Sequence, residues 1–335
     1  MDATPLSVPT GGIRRYTDEL ARALAGLYPG DTYYLLSDQP FKHPSVPGGP
    51  TRASWLSRRW WSIGLPRELR RLAIDVFHGT DFAVPYLPVL PSVMTLHDLT
   101  PWREETSARV SDRVRRRAPW SLRLGLATMV ITPSEAVRRE AISKFSLQPG
   151  RVAAVPLAPA TVFRPVQGPR RERPYFLCVG ARDPRKNLGV VHQAWAALRD
   201  CADLVIVGES DERFSGPVYT GTVTDVELAA LYSGSVALLY PSLYEGFGLP
   251  VLEAMQCGTM VIASQDPAVV EVAGGAAIHA CASDPRGWLE AMTCALDAGR
   301  RAAWRDRGFA RAAEFTWERT AMRTREVYDE ARRIF

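Results

Sequence analysis

The chain has 335 residues, 46% hydrophobic and 23% charged, with a formal net charge of +5. That balance excludes a disordered or low-complexity chain, and the length suggests two domains of roughly 150 residues, each able to bury a core. No apolar run approaches the ~20 residues that span a bilayer, and the first residues lack the apolar stretch of a signal peptide, so a cytoplasmic location is expected.

In chain order, the first half reads as strands at Tyr33–Leu36, Val76–Phe77, Val93–Leu96 and Met129–Ile131, with helical stretches after Gly12, around Ser57 to Leu72 and after Ser134. Pro165 to Pro174 is rich in proline, glycine and charge, which is linker composition. The second half repeats the theme with strands at Tyr175–Val179, Asp203–Val207, Val236–Tyr240 and Met260–Ala263, and helices near 188–199, 225–233, 250–257 and 286–298. Alternation of strand and helix implies doubly wound parallel sheets with ligands at the strand C-termini. The expected domains are 1–164 and 165–314, followed by a closing helix over 315–335.

Charge divides unevenly. Residues 1–160 hold 21 Lys and Arg against 14 Asp and Glu, a net of +7, while the remainder carries −2. Only Lys42, Lys144 and Lys186 are lysines, so Lys186 stands out in a chain that otherwise uses arginine. The cysteines (Cys178, Cys201, Cys257, Cys281 and Cys294) are odd in number and lack CxxC spacing, which fits reduced, mostly buried thiols and suggests no zinc site.

Two segments carry chemistry. Pro241-Ser-Leu-Tyr-Glu-Gly-Phe-Gly-Leu-Pro-Val-Leu-Glu253 follows a buried strand, and Pro250 suits the first turn of a helix. The strand thus delivers Gly246 and Gly248 to a helix N-terminus, where backbone N–H groups and the helix dipole favour an anion such as diphosphate. Glu245 lies in the turn and Glu253 on the first helical turns, so one ligand can meet both. The second segment, Val179-Gly-Ala-Arg-Asp-Pro-Arg-Lys-Asn187, follows the first strand of the second domain. It places Arg185 and Lys186 at another helix start, where each can take oxygens of one diphosphate. The bland reading of either segment is a solvated turn.

The strings PSLYEGFGLPVLEAMQCG and VGARDPRKN, with VMTLHDL and VITPSEAVRREA in the first half, resemble retaining glycosyltransferases of family 4. The resemblance runs from Asp2 to about Tyr328. It implies the GT-B architecture, two Rossmann-like domains facing a central cleft, and a hexosyltransferase acting in polysaccharide biosynthesis, of mannosyltransferase-like type. By motif, Arg185 and Lys186 would hold the donor diphosphate, Glu253 the ribose, and Glu245 the hydroxyls of the transferred sugar. Backbone groups at Gly246, Phe247, Gly248 and Leu249 would touch sugar and phosphate. Gly11 and Gly12 match the glycine turn near the diphosphate, and His97 the histidine beside the sugar. Glu209 and Val223 are candidates for base contacts. The partners implied are a GDP- or UDP-sugar donor and a glycan, lipid-linked or small-molecule acceptor. No cofactor or metal is expected, since no Asp-x-Asp pair is present and two fixed cations can neutralise the diphosphate.

Some features depart from the family or stay open. Relatives begin with a full apolar strand, whereas this chain starts at Met1-Asp-Ala-Thr-Pro-Leu6, so either the start is misassigned or that strand is reduced. Arg14 stands within the glycine turn, either as a phosphate contact or pointing to solvent. For His78 a core role is favoured over the acceptor cleft, and His192 reads as structural. Trp55 to Pro66, with Arg67, Arg70 and Arg71, mixes tryptophan and arginine. Packing on the first sheet is favoured there over a seat on an anionic membrane, and Arg113 to Arg117 could equally attract lipid head groups. No nucleic-acid motif accompanies the charge. A sugar-nucleotide epimerase or isomerase and a non-catalytic sugar-nucleotide sensor are the alternatives. The assay that separates them is acceptor-dependent release of nucleoside diphosphate.

Overall fold

A computed structural model describes the chain except residues 9–10, 42–47, 51–58, 104–111, 168–170 and 181–182, and the side chains of residues 48–50, 112 and 113. The strands are β1 (Leu35–Ser37), β2 (Gly48–Pro50), β3 (Phe77–Gly79), β4 (Ser92–Thr95), β5 (Met129–Thr132), β6 (Val152–Ala154), β7 (Tyr175–Val179), β8 (Asp203–Val207), β9 (Val218–Tyr219), β10 (Ala237–Tyr240), β11 (Met260–Ala263) and β12 (Ile278–His279). The helices are α1 (Gly12–Leu27), α2 (Leu65–Arg71), α3 (Asp112–Arg123), α4 (Glu135–Phe145), α5 (Leu188–Trp195), α6 (Asp225–Gly234), α7 (Leu249–Gln256), α8 (Pro267–Ala273), α9 (Pro285–Leu296), α10 (Ala298–Ala312) and α11 (Trp317–Ile334). Among the described residues, no helix is long and apolar enough to cross a membrane.

Two compact units divide the chain, Met1–Leu157 with Trp317–Phe335, and Ala158–Thr316. The division precedes the proline-rich stretch because Phe163 already packs its ring edge-on to Tyr232, and the Val166 N–H donates to Ser233 Oγ.

In the first unit, β3, β4, β5 and β6 form a parallel sheet in sequence order, and β1 pairs with β2. Asp2 lies between them: its N–H donates to His78 O at 2.8 Å, and it bridges Leu36 in parallel register. The helices follow from apolar spacing. Tyr16, Leu20 and Leu24 recur every fourth residue and form the buried face of α1, while the Ser134 hydroxyl accepts from Val137 N–H to start α4. Trp60 and Trp61 are buried with Leu36, Leu65, Leu69 and Phe77, so this part of the tryptophan-arginine segment belongs to the core; Trp55 lies outside the described residues.

The closing helix α11 packs on α1. Its Tyr328 hydroxyl meets Nδ1 of His78 at 2.7 Å, and the other ring nitrogen meets Thr95 Oγ1 at 2.8 Å. Both nitrogens of His78 are therefore used and the residue is buried, which fits the core role favoured from the sequence. Arg325 pairs with Asp31 at 2.7 Å, and Thr320 donates to Pro156 O.

In the second unit the order β12-β11-β10-β7-β8-β9 is wholly parallel. From β7 the chain winds outward to β8 and β9, then returns to the other side through β10. The order therefore reverses between β7 and β10, and the crevice at their C-terminal ends is where a doubly wound sheet binds ligand. Trp288, Trp195 and Met292 fill one core face against Phe176, Leu204 and Ile262. The thiols correct the sequence expectation: Cys178 and Cys257 are buried, but Cys201 and Cys281 sit in exposed turns after α5 and β12.

Burial lowers the His78 pKa to about 3. As pH falls from about 6.5 towards 3, the unfolded chain takes up a proton that the native ring refuses, costing up to about 1.4 kcal/mol per pH unit. Asp2, raised to about 6 chiefly by burial, acts in the opposite sense between about 6 and its ordinary 3.8. The His78→Gln variant isolates the first effect. In urea unfolding, the stability gap between wild type and variant should narrow by about 2 kcal/mol between pH 7 and pH 5. An unchanged gap would contradict a neutral buried imidazole.

Candidate active site

The β7 and β10 ends carry the two segments singled out in the sequence, and the fold joins them. Gly180, at φ +92°, leaves β7, and a Cβ there would meet Lys186 Cε at 3.2 Å, so the glycine lets the lysine side chain lie back across the strand end. Asp183 then caps a short turn, accepting from Arg185 N–H at 3.0 Å and pairing with the Arg185 guanidinium at 2.8 Å. The turn is pinned to the neighbouring loop, because Arg185 O accepts from Leu243 N–H at 2.8 Å. Asn187, in left-handed conformation, donates through Nδ2 to Ala282 O at 2.7 Å and Pro241 O at 3.3 Å. Ala181 and Arg182 lie outside the described residues.

Lys186 Nζ meets Glu245 Oε1 at 2.6 Å and lies 4.9 Å from the centre of the Tyr240 ring. Both side chains are largely shielded, at 17% and 12% exposure. Burial pushes the Glu245 carboxyl up, but the Lys186 ammonium and neighbouring hydroxyls outweigh it and hold the group below the usual carboxylate range. The Tyr240 phenol is raised by burial and by Glu245, and stays protonated. Beneath this pair, Asp266 Oδ2 accepts from Glu245 N–H at 3.4 Å while Oδ1 accepts from Ala268 and Val269 N–H to start α8. Burial raises Asp266 to about 6.

Gly248, at φ +109°, caps α7, and Pro250 fills its first turn. Backbone N–H groups of Phe247, Gly248 and Leu249 find no acceptor among the described residues. Three such donors beside a lysine make an anion cradle. Phe247 itself is buried, its ring edge-on to Phe315. Gly246 is buried in the same turn. Glu253 is 2% exposed and accepts from the Tyr232 hydroxyl at 3.2 Å, so its carboxylate is oriented from within the core. Glu209 follows β8 and Val223 precedes α6; their loops are tied by paired hydrogen bonds between Gly208 and Gly221 of 3.0 and 3.1 Å.

In the first unit, Gly11 caps α1 and Gly12 opens it, and an added Cβ at either would meet open space. Arg14 is half-buried, and its Nη1 donates to Leu6 O at 2.5 Å and Val8 O at 3.1 Å, bracing the segment before the turn. His97 follows β4, and its Nε2 donates to Thr80 O at 2.7 Å. That bond fixes the tautomer and leaves Nδ1 as an acceptor. Tyr16 packs edge-on at 4.9 Å and Phe82 at 6.0 Å, and burial lowers the His97 pKa, so the ring stays neutral at pH 7. His192 Nε2 donates to Ser215 O at 3.1 Å and its ring lies near Trp195 and Phe214, a structural role.

Sequence reasoning gave no role to Asn187, Tyr240 or Asp266. Asn187 was within the quoted string; Asp266-Pro267 is a helix-start signal that could have been found. Tyr240 carried no signal beyond its place at a strand end.

The chain matches two family models, Glycosyltransferase Family 4 over residues 10–158 and Glycosyl transferases group 1 over residues 173–298. It is 30% identical to O-antigen chain mannosyltransferase B of Escherichia coli, over 97% of each chain. It is 31% identical to the MMP alpha-(1->4)-mannosyltransferase of Mycolicibacterium hassiacum, over 60% of this chain and 54% of the relative. Among solved structures, sucrose-phosphate synthase from Thermosynechococcus elongatus aligns with TM-score 0.78 at 19% identity, covering 98% and 97% of the two chains. WaaG, a glycosyltransferase involved in lipopolysaccharide biosynthesis, aligns with TM-score 0.72 at 17% identity, covering 96% and 97%. The two parallel-sheet units are those of the GT-B fold, and the chain belongs to the group 1, family 4 glycosyltransferases.

Proposed function

We propose that this glycosyltransferase moves a hexose, mannose in the reading its relatives' names favour, from a nucleoside-diphosphate donor to a glycan or lipid-linked acceptor with retention of anomeric configuration. The observation that carries the proposal is the Lys186–Glu245 pair beside three backbone N–H groups that find no acceptor among the described residues. It supplies positive charge and donors for a diphosphate, with a carboxylate adjacent for sugar hydroxyls. Glu245 is ionised and paired, which suits it to accept hydroxyl hydrogen bonds rather than to attack carbon.

In this reading Lys186 and Arg185 neutralise the diphosphate as its bond to the anomeric carbon breaks. The acceptor oxygen bonds to that carbon on the same face, and its proton passes to the departing phosphate oxygen. Glu253 takes the ribose, and Glu209 and Val223 border the base. His97, through Nδ1, accepts from a hydroxyl of the transferred sugar. Fixed cations replace a metal ion, so chelation by EDTA should leave the rate unchanged; a loss restored by a divalent cation would overturn metal independence.

Thermal denaturation with GDP, UDP, ADP and TDP tests the diphosphate site and selects the base. A ligand at ~100 times its Kd adds about 2.7 kcal/mol to the native state. One base should raise Tm, and Lys186→Ala should weaken that ligand roughly 10- to 100-fold, the range of a lost charged hydrogen bond. No response to any of the four in folded protein would sink the reading.

With the donor so identified, Glu245→Gln should cut kcat for acceptor-dependent transfer about 10- to 100-fold. NMR of the wild-type product should show the donor's anomeric configuration, and inversion would refute a same-face displacement.

A further inference from the structure

Tyr240 ends β10 and is buried, yet its hydroxyl meets two charged groups. The phenol oxygen accepts from Lys186 Nζ at 3.4 Å, and the hydroxyl is hydrogen-bonded to the Glu245 carboxylate. A phenol carries one proton and two lone pairs, so it can accept from the ammonium and donate to the carboxylate at once. Lys186, Glu245 and Tyr240 thus close a ring in which each side chain has the other two as partners.

The three members differ in how far they can move. Tyr240 O accepts from Ser264 N–H at 2.9 Å, and β10 is paired on both sides, with β7 and with β11. The edge of its ring lies at the start of α7, where a Cβ on Gly248 would come within 3.9 Å of Cε1. The hydroxyl is therefore fixed by the sheet and by the helix start. Lys186 ends a flexible four-carbon stem lying back across Gly180, so its ammonium can pass between oxygen acceptors without backbone movement.

When a diphosphate takes the ammonium, the carboxylate loses its cation in a site largely closed to water. A carboxylate so placed needs another donor to keep its charge and orientation. Asp266 cannot serve, because it is itself an acid and meets Glu245 at the backbone N–H, at 3.4 Å. The phenol of Tyr240 already points its proton at the carboxylate and stays protonated, since burial and Glu245 both raise it.

We propose that Tyr240 is a positioning residue for sugar transfer, its hydroxyl holding the Glu245 carboxylate in place while the donor diphosphate draws Lys186 away, a role that rests on the reading of Lys186 as the phosphate ligand and Glu245 as the sugar ligand. Tyr240 acts through Glu245. Its ring steadies the free lysine, and its hydroxyl steadies the carboxylate that the lysine leaves behind.

Tyr240→Phe tests this, because it keeps the ring against Lys186 and Gly248 and removes the hydroxyl alone. The ligands are whichever of GDP, UDP, ADP and TDP raises the wild-type Tm, and the corresponding nucleotide sugar. Calorimetry should show the bare diphosphate bound within about twofold of wild type, while kcat for acceptor-dependent transfer falls about tenfold with little change in KM for the donor. Added to Glu245→Gln, the same change should cost less than about twofold more, because the two residues act as a unit. Unchanged kcat in Tyr240→Phe overturns the proposal. So does a full tenfold loss on top of Glu245→Gln, or a loss of diphosphate binding equal to the loss of kcat, since either would mark a general disturbance of the site. Those outcomes leave the roles of Lys186 and Glu245 standing, whereas a folded wild type that binds none of the four diphosphates removes those roles and this one together.

Discussion

The Lys186–Glu245 ion pair is the constraint around which the second unit is arranged. Bringing two charges to 2.6 Å in a site mostly closed to water costs desolvation, and removing one partner leaves the other uncompensated at a cost of about 3–5 kcal/mol when fully buried. The local architecture makes the pair affordable. Gly180 provides the space a Cβ would occupy, Arg185 O and Leu243 N–H lock the two loops, and Asp266 fixes the backbone of Glu245. Because β7 and β10 are neighbours at the point where strand order reverses, loops distant in sequence meet at one place.

Such a pair is also a reservoir of binding capacity. In the free protein the ammonium is satisfied by a carboxylate, so an arriving diphosphate competes for a cation that is already oriented. The N–H groups at the start of α7 are preformed as well, so little has to be ordered when a ligand arrives. The first unit shows the same economy of positioning. His97 is held by Thr80 O and walled by Tyr16 and Phe82, and Tyr16 in turn bonds Thr95, which bonds His78 and through it Tyr328 of α11. The last helix of the chain is thereby built into the support of a residue near its start.

Much of this was legible in the sequence. Strands β7, β8 and β11 have the residues that apolar runs indicated, because strands buried on both faces are uninterrupted in Val, Ile and Leu. The glycine-bearing turn before α7 was legible because Gly248, Pro250 and the preceding strand all give the same instruction. What could not be read depended on tertiary contact. β6 is only Val-Ala-Ala, too weak a pattern to separate from a loop, and α10 is an arginine- and alanine-rich surface helix whose apolar stripe is thin. Arg14, His78 and the two core tryptophans each had a plausible ligand or surface reading, and their partners (Leu6 O, Tyr328 and Phe77) are set by the fold.

Calorimetric titration of the bare nucleoside diphosphate into wild type and Glu245→Gln measures the exchange of Lys186 between carboxylate and phosphate most directly. With the competing carboxylate neutralised, the diphosphate should bind at least as tightly as to wild type, while the intact nucleotide sugar loses the advantage its sugar confers. Loss of bare diphosphate binding in a folded Glu245→Gln protein would contradict the assignment of Lys186 to phosphate and Glu245 to sugar.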